Sequence, residues 1–210
     1  MANWITLSRL LPLALTVVFL YLEGVAFPWA AIPLILLLLV LDLVDGVVAR
    51  RTGSVSRLGS ALDVAMDRLV EFILWVCFSD LRLIPVWVPL VVIARGLIVD
   101  AIRALVLAQG ETAFGMMHSR LGRFLVSSRF MRDFYGVTKT CAFLALAGVH
   151  ALRRHMAWAG VTPALLGAMF WIYPAGYALT VLAVALCLAR GIPVLLDARA
   201  VLRRGLPDDR

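Results

Sequence analysis

The chain has 210 residues, 63% of them hydrophobic and 16% charged, an apolar share well beyond the roughly half of ordinary soluble domains, which excludes a single water-soluble core. Its apolar residues form long runs on the scale of the about 20 residues a helix needs to cross a bilayer, so a membrane is the expected solvent. The net charge of +7 does not mark a nucleic-acid partner, because the basic residues fall in short clusters between apolar runs instead of along one polar face.

In chain order the runs predict an all-α integral membrane protein with six transmembrane helices, near residues 5–22, 29–48, 58–78, 84–107, 135–152 and 163–189. The first run continues after Phe27-Pro28 into the second, as a multi-span hairpin does and a cleaved signal peptide does not. No repeat or soluble appendage is visible, so residues 1–210 read as one membrane domain. Arg50, Arg51 and Arg57, then Arg120, Arg123, Arg129 and Arg132, then Arg190, Arg199, Arg203 and Arg204 fall on one side of the six spans. Short arginine-rich loops remain in the cytoplasm, which orients the chain in a cytoplasmic (inner) membrane. Arg82 and the pair Arg153-Arg154 lie on the other side, and the pair runs against that rule.

Residues 111–132 interleave Phe114, Met116, Met117, Leu121, Phe124, Leu125, Phe130 and Met131 with arginines. An interfacial amphipathic helix has this pattern, with a basic cytoplasmic loop as the alternative. Trp4, Trp29, Trp87 and Trp158 stand near span ends, as an aromatic belt does. Cys77, Cys141 and Cys187 each sit alone in an apolar run, with no zinc or disulfide spacing, and are expected to be buried, reduced and structural.

The chemistry is concentrated where the second span returns into the third. Asp42 and Asp45 are three residues apart, and Asp63 and Asp67 are four apart; both spacings put the pair on one helical face. A hairpin of this form aims four carboxylates at one small volume near the cytoplasmic boundary. At mid-bilayer each charge costs roughly 2.5–3.5 kcal/mol, so something positive must lie between them. Oxygen donors without His or Cys select hard cations, Mg²⁺, Mn²⁺ or Ca²⁺. Two such ions would neutralise four aspartates and clamp a diphosphate for in-line displacement. Gly46 and Gly59 allow the close backbone approach that such a site needs.

Asp42-x2-Asp45-Gly46-x2-Ala49-Arg50-x8-Gly59-x3-Asp63-x3-Asp67 resembles the complete signature of the CDP-alcohol phosphotransferase family. The resemblance implies a six-helix, usually homodimeric membrane fold with a polar, cytoplasm-facing active-site cavity open to the bilayer. It implies that Asp42, Asp45, Asp63 and Asp67 bind two divalent cations, Mg²⁺ or Mn²⁺. Asp45, Gly46, Ala49, Arg50, Gly59 and Asp63 would bind the CDP moiety of CDP-diacylglycerol, and Asp67 would take the proton of an alcohol acceptor whose hydroxyl attacks the β-phosphorus and expels CMP.

Outside the signature the chain is most similar to phosphatidylglycerophosphate synthases, at Asn3-Trp4-Ile5-Thr6-Leu7-Ser8-Arg9, along residues 93–103, and at Gly136-Val137-Thr138-Lys139-Thr140. Arg9, Arg95, Arg103 and Lys139, the chain's one lysine, are cations in or beside spans. Such cations mark a polar cavity and could hold the phosphate of an acceptor, glycerol 3-phosphate by this similarity. Gly96 and Ala104 stand where those synthases carry acids, so an inositol phosphate or another alcohol is the alternative. In another class, a cation transporter would carry its acids near the bilayer midplane in two related halves, whereas these four lie in one hairpin.

Overall fold

The computed structural model describes the backbone of residues 8–52, 57–108, 124–125 and 128–205, and the side chains of these apart from 42–52, 57–58, 60, 106–108, 129 and 197–205. Six α-helices make up the described chain: α1 Leu10–Tyr21, α2 Ala26–Thr52, α3 Arg57–Asp80, α4 Trp87–Ala108, α5 Arg129–Ala159 and α6 Pro163–Gly205. Each coincides with one predicted run. Most run past the apolar stretch that announces them, most of all α5 and α6, because Ala, Leu and Arg continue a helix well beyond the limits of hydropathy. Among the described residues, 130–159 and 163–196 are long and apolar enough to cross a membrane, while 10–21 and 26–41 are shorter apolar helices. Most of the segment 111–132, including His118, lies outside the described residues.

The chain divides into two compact units, residues 1–89 with 140–179, and residues 90–139 with 180–210. In the first, α1 lies along α2 and touches α3. The centre of its core is aromatic: the Phe143 ring meets Trp75 edge-on at 4.7 Å and Phe78 at 5.9 Å, all three being buried. Gly176 of α6 lies so close to α5 that a Cβ there would come 3.2 Å from the Cβ of Ala145. In the second unit Gly191 of α6 is covered by the Arg95 side chain of α4.

Helix ends in the first unit are closed by identifiable groups. Gly160, at φ +88°, ends α5, and Thr162 Oγ1 accepts the backbone N–H of Leu165 at 3.3 Å, an N-cap followed by proline at the first helical position. At the end of α3, Arg82 N–H donates to the Ser79 carbonyl at 2.9 Å and Leu83 N–H to the Phe78 carbonyl at 3.0 Å. This is a Schellman closure with Arg82 in the left-handed position, at φ 54°, where glycine is usual. His150 Nε2 meets the Leu20 carbonyl at 2.9 Å, Arg154 donates to the Leu22 carbonyl at 3.0 Å, and Arg153 donates to that of Arg82 at 3.3 Å. The pair that opposed the charge rule therefore caps the C-terminal carbonyls of other elements. Cys77 and Cys187 are buried as expected, but Cys141 is exposed on α5; position in an apolar run fixes the helix and not which face turns inward.

Replacing Phe143 by Ala removes the ring shared by Trp75 and Phe78 and should destabilise the protein by about 3–5 kcal/mol. The measurement is a lowered unfolding midpoint of the purified protein in a denaturing-detergent titration; an unchanged midpoint would show that the aromatic cluster does not organise this core.

Candidate active site

Asp63 and Asp67 stand on consecutive turns of α3, with Gly59 one turn earlier, because a spacing of four returns to the same helical face. Asp63 keeps 49% of its side chain accessible, and Asp67 is exposed. Both carboxylates can therefore meet a ligand. Arg9, in the turn that opens α1, donates through Nη2 to Asp63 Oδ1 at 3.2 Å while its own side chain is only 1% exposed. A buried guanidinium fixed on a half-exposed carboxylate sets the position of that carboxylate by a charge-assisted hydrogen bond.

The backbone of Asp42, Asp45, Gly46, Ala49 and Arg50 continues α2, and their side chains lie outside the described residues. Among the described residues no three His, Cys, Asp or Glu side chains gather as a metal site, and the expected set needs Asp42 and Asp45. What is described fits such a group: Asp63 and Asp67 offer carboxylate oxygens, the donors that suit a hard divalent cation.

One turn beyond Asp67, Glu71 is 2% exposed and accepts from Arg68 Nη1 at 3.3 Å. Sequence reasoning passed over Glu71, although Asp63, Asp67 and Glu71 repeat at the same interval. The last carboxylate of the stripe is sealed and the first two are open.

The second unit gathers the other expected cations. Arg103 Nη1 is 4.0 Å from Asp100, Lys139 Nζ lies 5.7 Å from the centre of the Tyr135 ring, and the stem and Nε of Arg95 cover Gly191. Arg190, read from sequence only as a mark of topology, is at the centre of this group. It lies 5.6 Å from the Tyr135 ring centre, donates to the Met131 carbonyl at 3.3 Å, and is within electrostatic reach of Arg95, Arg103 and Arg132. Arg95 and Arg190 have no carboxylate partner among the described residues. Cations within reach of one another raise the local positive potential. A basic residue at a span end has a topological explanation, and that explanation conceals this grouping.

A family model described as CDP-alcohol phosphatidyltransferase matches residues 1–189. An archaetidylinositol phosphate synthase from Aeropyrum pernix is 48% identical over 80 residues, which are 37% of this chain and 39% of that protein. The chain thus matches well under half the length of this curated relative. With the family model spanning nearly all of the six-helix chain, the protein belongs to the CDP-alcohol phosphatidyltransferase family.

Proposed function

We propose that the protein transfers a phosphatidyl group from CDP-diacylglycerol to a phosphorylated alcohol and releases CMP, with an inositol phosphate as the first acceptor and glycerol 3-phosphate as the second. The open pair Asp63 and Asp67, with Arg9 anchored on the former, carries the reading. Family members are membrane proteins that use divalent metal ions and transfer the phosphoalcohol group of a CDP-alcohol donor to an alcohol acceptor, with CMP as the leaving group. The printed name of the Aeropyrum pernix relative supports inositol phosphate, as does Gly96 in the place of an acid. The similarity around Arg9, Arg95 and Lys139 supports glycerol 3-phosphate.

The roles follow from charge and access. Asp42, Asp45, Asp63 and Asp67 would hold two ions, Mg²⁺ or Mn²⁺, which when bound neutralise the diphosphate and polarise its oxygens. Gly46, Ala49, Arg50 and Gly59 leave space and a cation for the cytidine diphosphate. Asp67 takes the proton from the acceptor hydroxyl as its oxygen bonds to the β-phosphorus and the bond to CMP breaks. Arg9 holds Asp63 in place and has the buried charge to meet a phosphate. Arg95, Arg103, Lys139 and Arg190 take the phosphate that a phosphorylated acceptor carries. The arginine-rich loops support six crossings with this chemistry facing the cytoplasm, in a homodimer as the family resemblance implies.

CMP release from CDP-diacylglycerol with Mg²⁺ or Mn²⁺ should be fastest with inositol 1-phosphate in a panel including glycerol 3-phosphate and free inositol. Equal rates with unphosphorylated inositol would remove the anion site from the mechanism. Asp67→Asn should lower kcat by about 10²–10⁴-fold, assayed beside an unchanged unfolding midpoint; a variant with full activity excludes Asp67 as base. In Gly191→Ala the new Cβ would stand 2.8 Å from Arg95 Nε and displace that guanidinium. The acceptor KM should rise several-fold with the donor KM unchanged, and equal effects on both would place Arg95 elsewhere.

A further inference from the structure

At the far end of α3 from its aspartates is a second polar site that the transferase reading does not use. Ser79 is sixteen residues beyond Asp63 on one continuous helix, a distance of about 24 Å along the axis. An open cavity of about 580 Å³ is lined there by Ser79, Arg82, Leu83, Ile84, Pro85, Val86, Tyr173 and Tyr177. Its walls combine an apolar strip with a cation, a hydroxyl and two phenols, the composition of a site for an amphiphile with an anionic head.

Two independent observations point to that head. First, none of the three arginines at this end has an ion-pair partner among the described residues. Arg82 has no hydrogen-bonding or ionic partner for its guanidinium among the described residues. Arg153 and Arg154 donate to the Arg82 and Leu22 carbonyls, and Arg153 also lies over the Tyr173 ring at 5.4 Å. Carbonyls carry only partial charge, and Arg154 Nε is buried without a partner. The nearby carboxylate of Asp80 accepts the Tyr21 hydroxyl at 2.7 Å and pairs with none of the three arginines. Second, Arg82 occupies the left-handed position of the α3 closure, at φ 54°. Glycine would relieve that backbone conformation, so the strain is borne at the one residue whose charge lines the cavity.

We propose that this cavity binds the phosphate of an anionic membrane phospholipid, held by Arg82 with Ser79 and the two tyrosines, while Leu83, Ile84, Pro85 and Val86 take the upper part of an acyl chain. Two glycerophospholipids share the phosphate. Net negative charge favours phosphatidylglycerol over phosphatidylcholine, because Arg82 in the lining and Arg153 and Arg154 beside it, with no ion-pair partner among the described residues, prefer an uncompensated anion.

The test is lipid binding to the full chain in detergent, read by native mass spectrometry and by the melting temperature. The wild type should retain one phosphatidylglycerol at concentrations where phosphatidylcholine is lost, and should melt higher with it. Arg82→Gly should bind at least tenfold more weakly while the lipid-free melting temperature is equal or higher, since the substitution relaxes the backbone. Arg82→Gln, which leaves the backbone strained and removes the charge, should lose the lipid as well, and Arg82→Lys should keep it. CMP release should be unaffected in all three. Binding of phosphatidylglycerol to both neutral variants as tightly as to the wild type overturns the proposal. So does inorganic phosphate giving the same stabilisation as the lipid, which would make the site one for free anions.

Discussion

The ion pair between Arg9 and Asp63 is the constraint from which the arrangement of the carboxylate end follows. In a chain this apolar, a carboxylate without counter-charge would be protonated or expelled from the fold. The buried Arg9 guanidinium, presented by the turn that opens α1, supplies Asp63 with a counter-charge and fixes where α1 begins relative to α3. Breaking such a pair from one side strands a buried charge, the costly direction of change. Asp67, one turn on, is exposed, and Glu71, one turn further, is sealed with Arg68. Along one stripe the helix passes from acids accessible at the surface to an acid satisfied internally.

The opposite end of the same unit handles charge in the reverse sense. There the surplus is positive, and His150, Arg153 and Arg154 project from α5 onto carbonyls at the ends of other elements. A helix ending in a low-dielectric medium cannot leave its last carbonyls to water. Side chains from a neighbouring helix therefore close it and tie α1 to α5. Between the two ends, the ring cluster of Trp75, Phe78 and Phe143 joins α3 to α5 without polar groups. The aspartates are thus mounted on a helix clamped along its length.

Much of this is legible in the sequence because it is periodic. Six apolar runs give six helices, and the intervals between Asp42 and Asp45 and between Asp63 and Asp67 place each pair on a helical face without any knowledge of packing. What is not legible is what depends on contacts across the chain. Cys141 sits in an apolar run like Cys77, yet one turns outward and the other inward, a choice made by neighbouring helices. Arg153 and Arg154 look like violations of a charge rule until the carbonyls they cap are seen. Arg190 looks like a topology signal until Gly191, which has no side chain to hold Arg95 away, brings the two guanidinium-bearing helices together.

That close approach also bears on the acceptor. In the second unit Arg103 is shared with Asp100, and Arg132 with Asp133 at 3.7 Å. Arg95 and Arg190 have no carboxylate partner among the described residues, and Arg190 lies over the Tyr135 ring. If the acceptor is held here as proposed, a neutral alcohol would leave the mutual repulsion of Arg95 and Arg190 offset only by a ring's quadrupole and a carbonyl, and neither matches a full charge. A phosphate monoester brings close to two negative charges and several acceptor oxygens, and guanidinium forks bind such oxygens in pairs. The repulsion that makes this cluster unfavourable when empty becomes attraction when a phosphate fills it. This is the physical ground for the phosphorylated acceptor proposed above, and it does not depend on which polyol carries the phosphate.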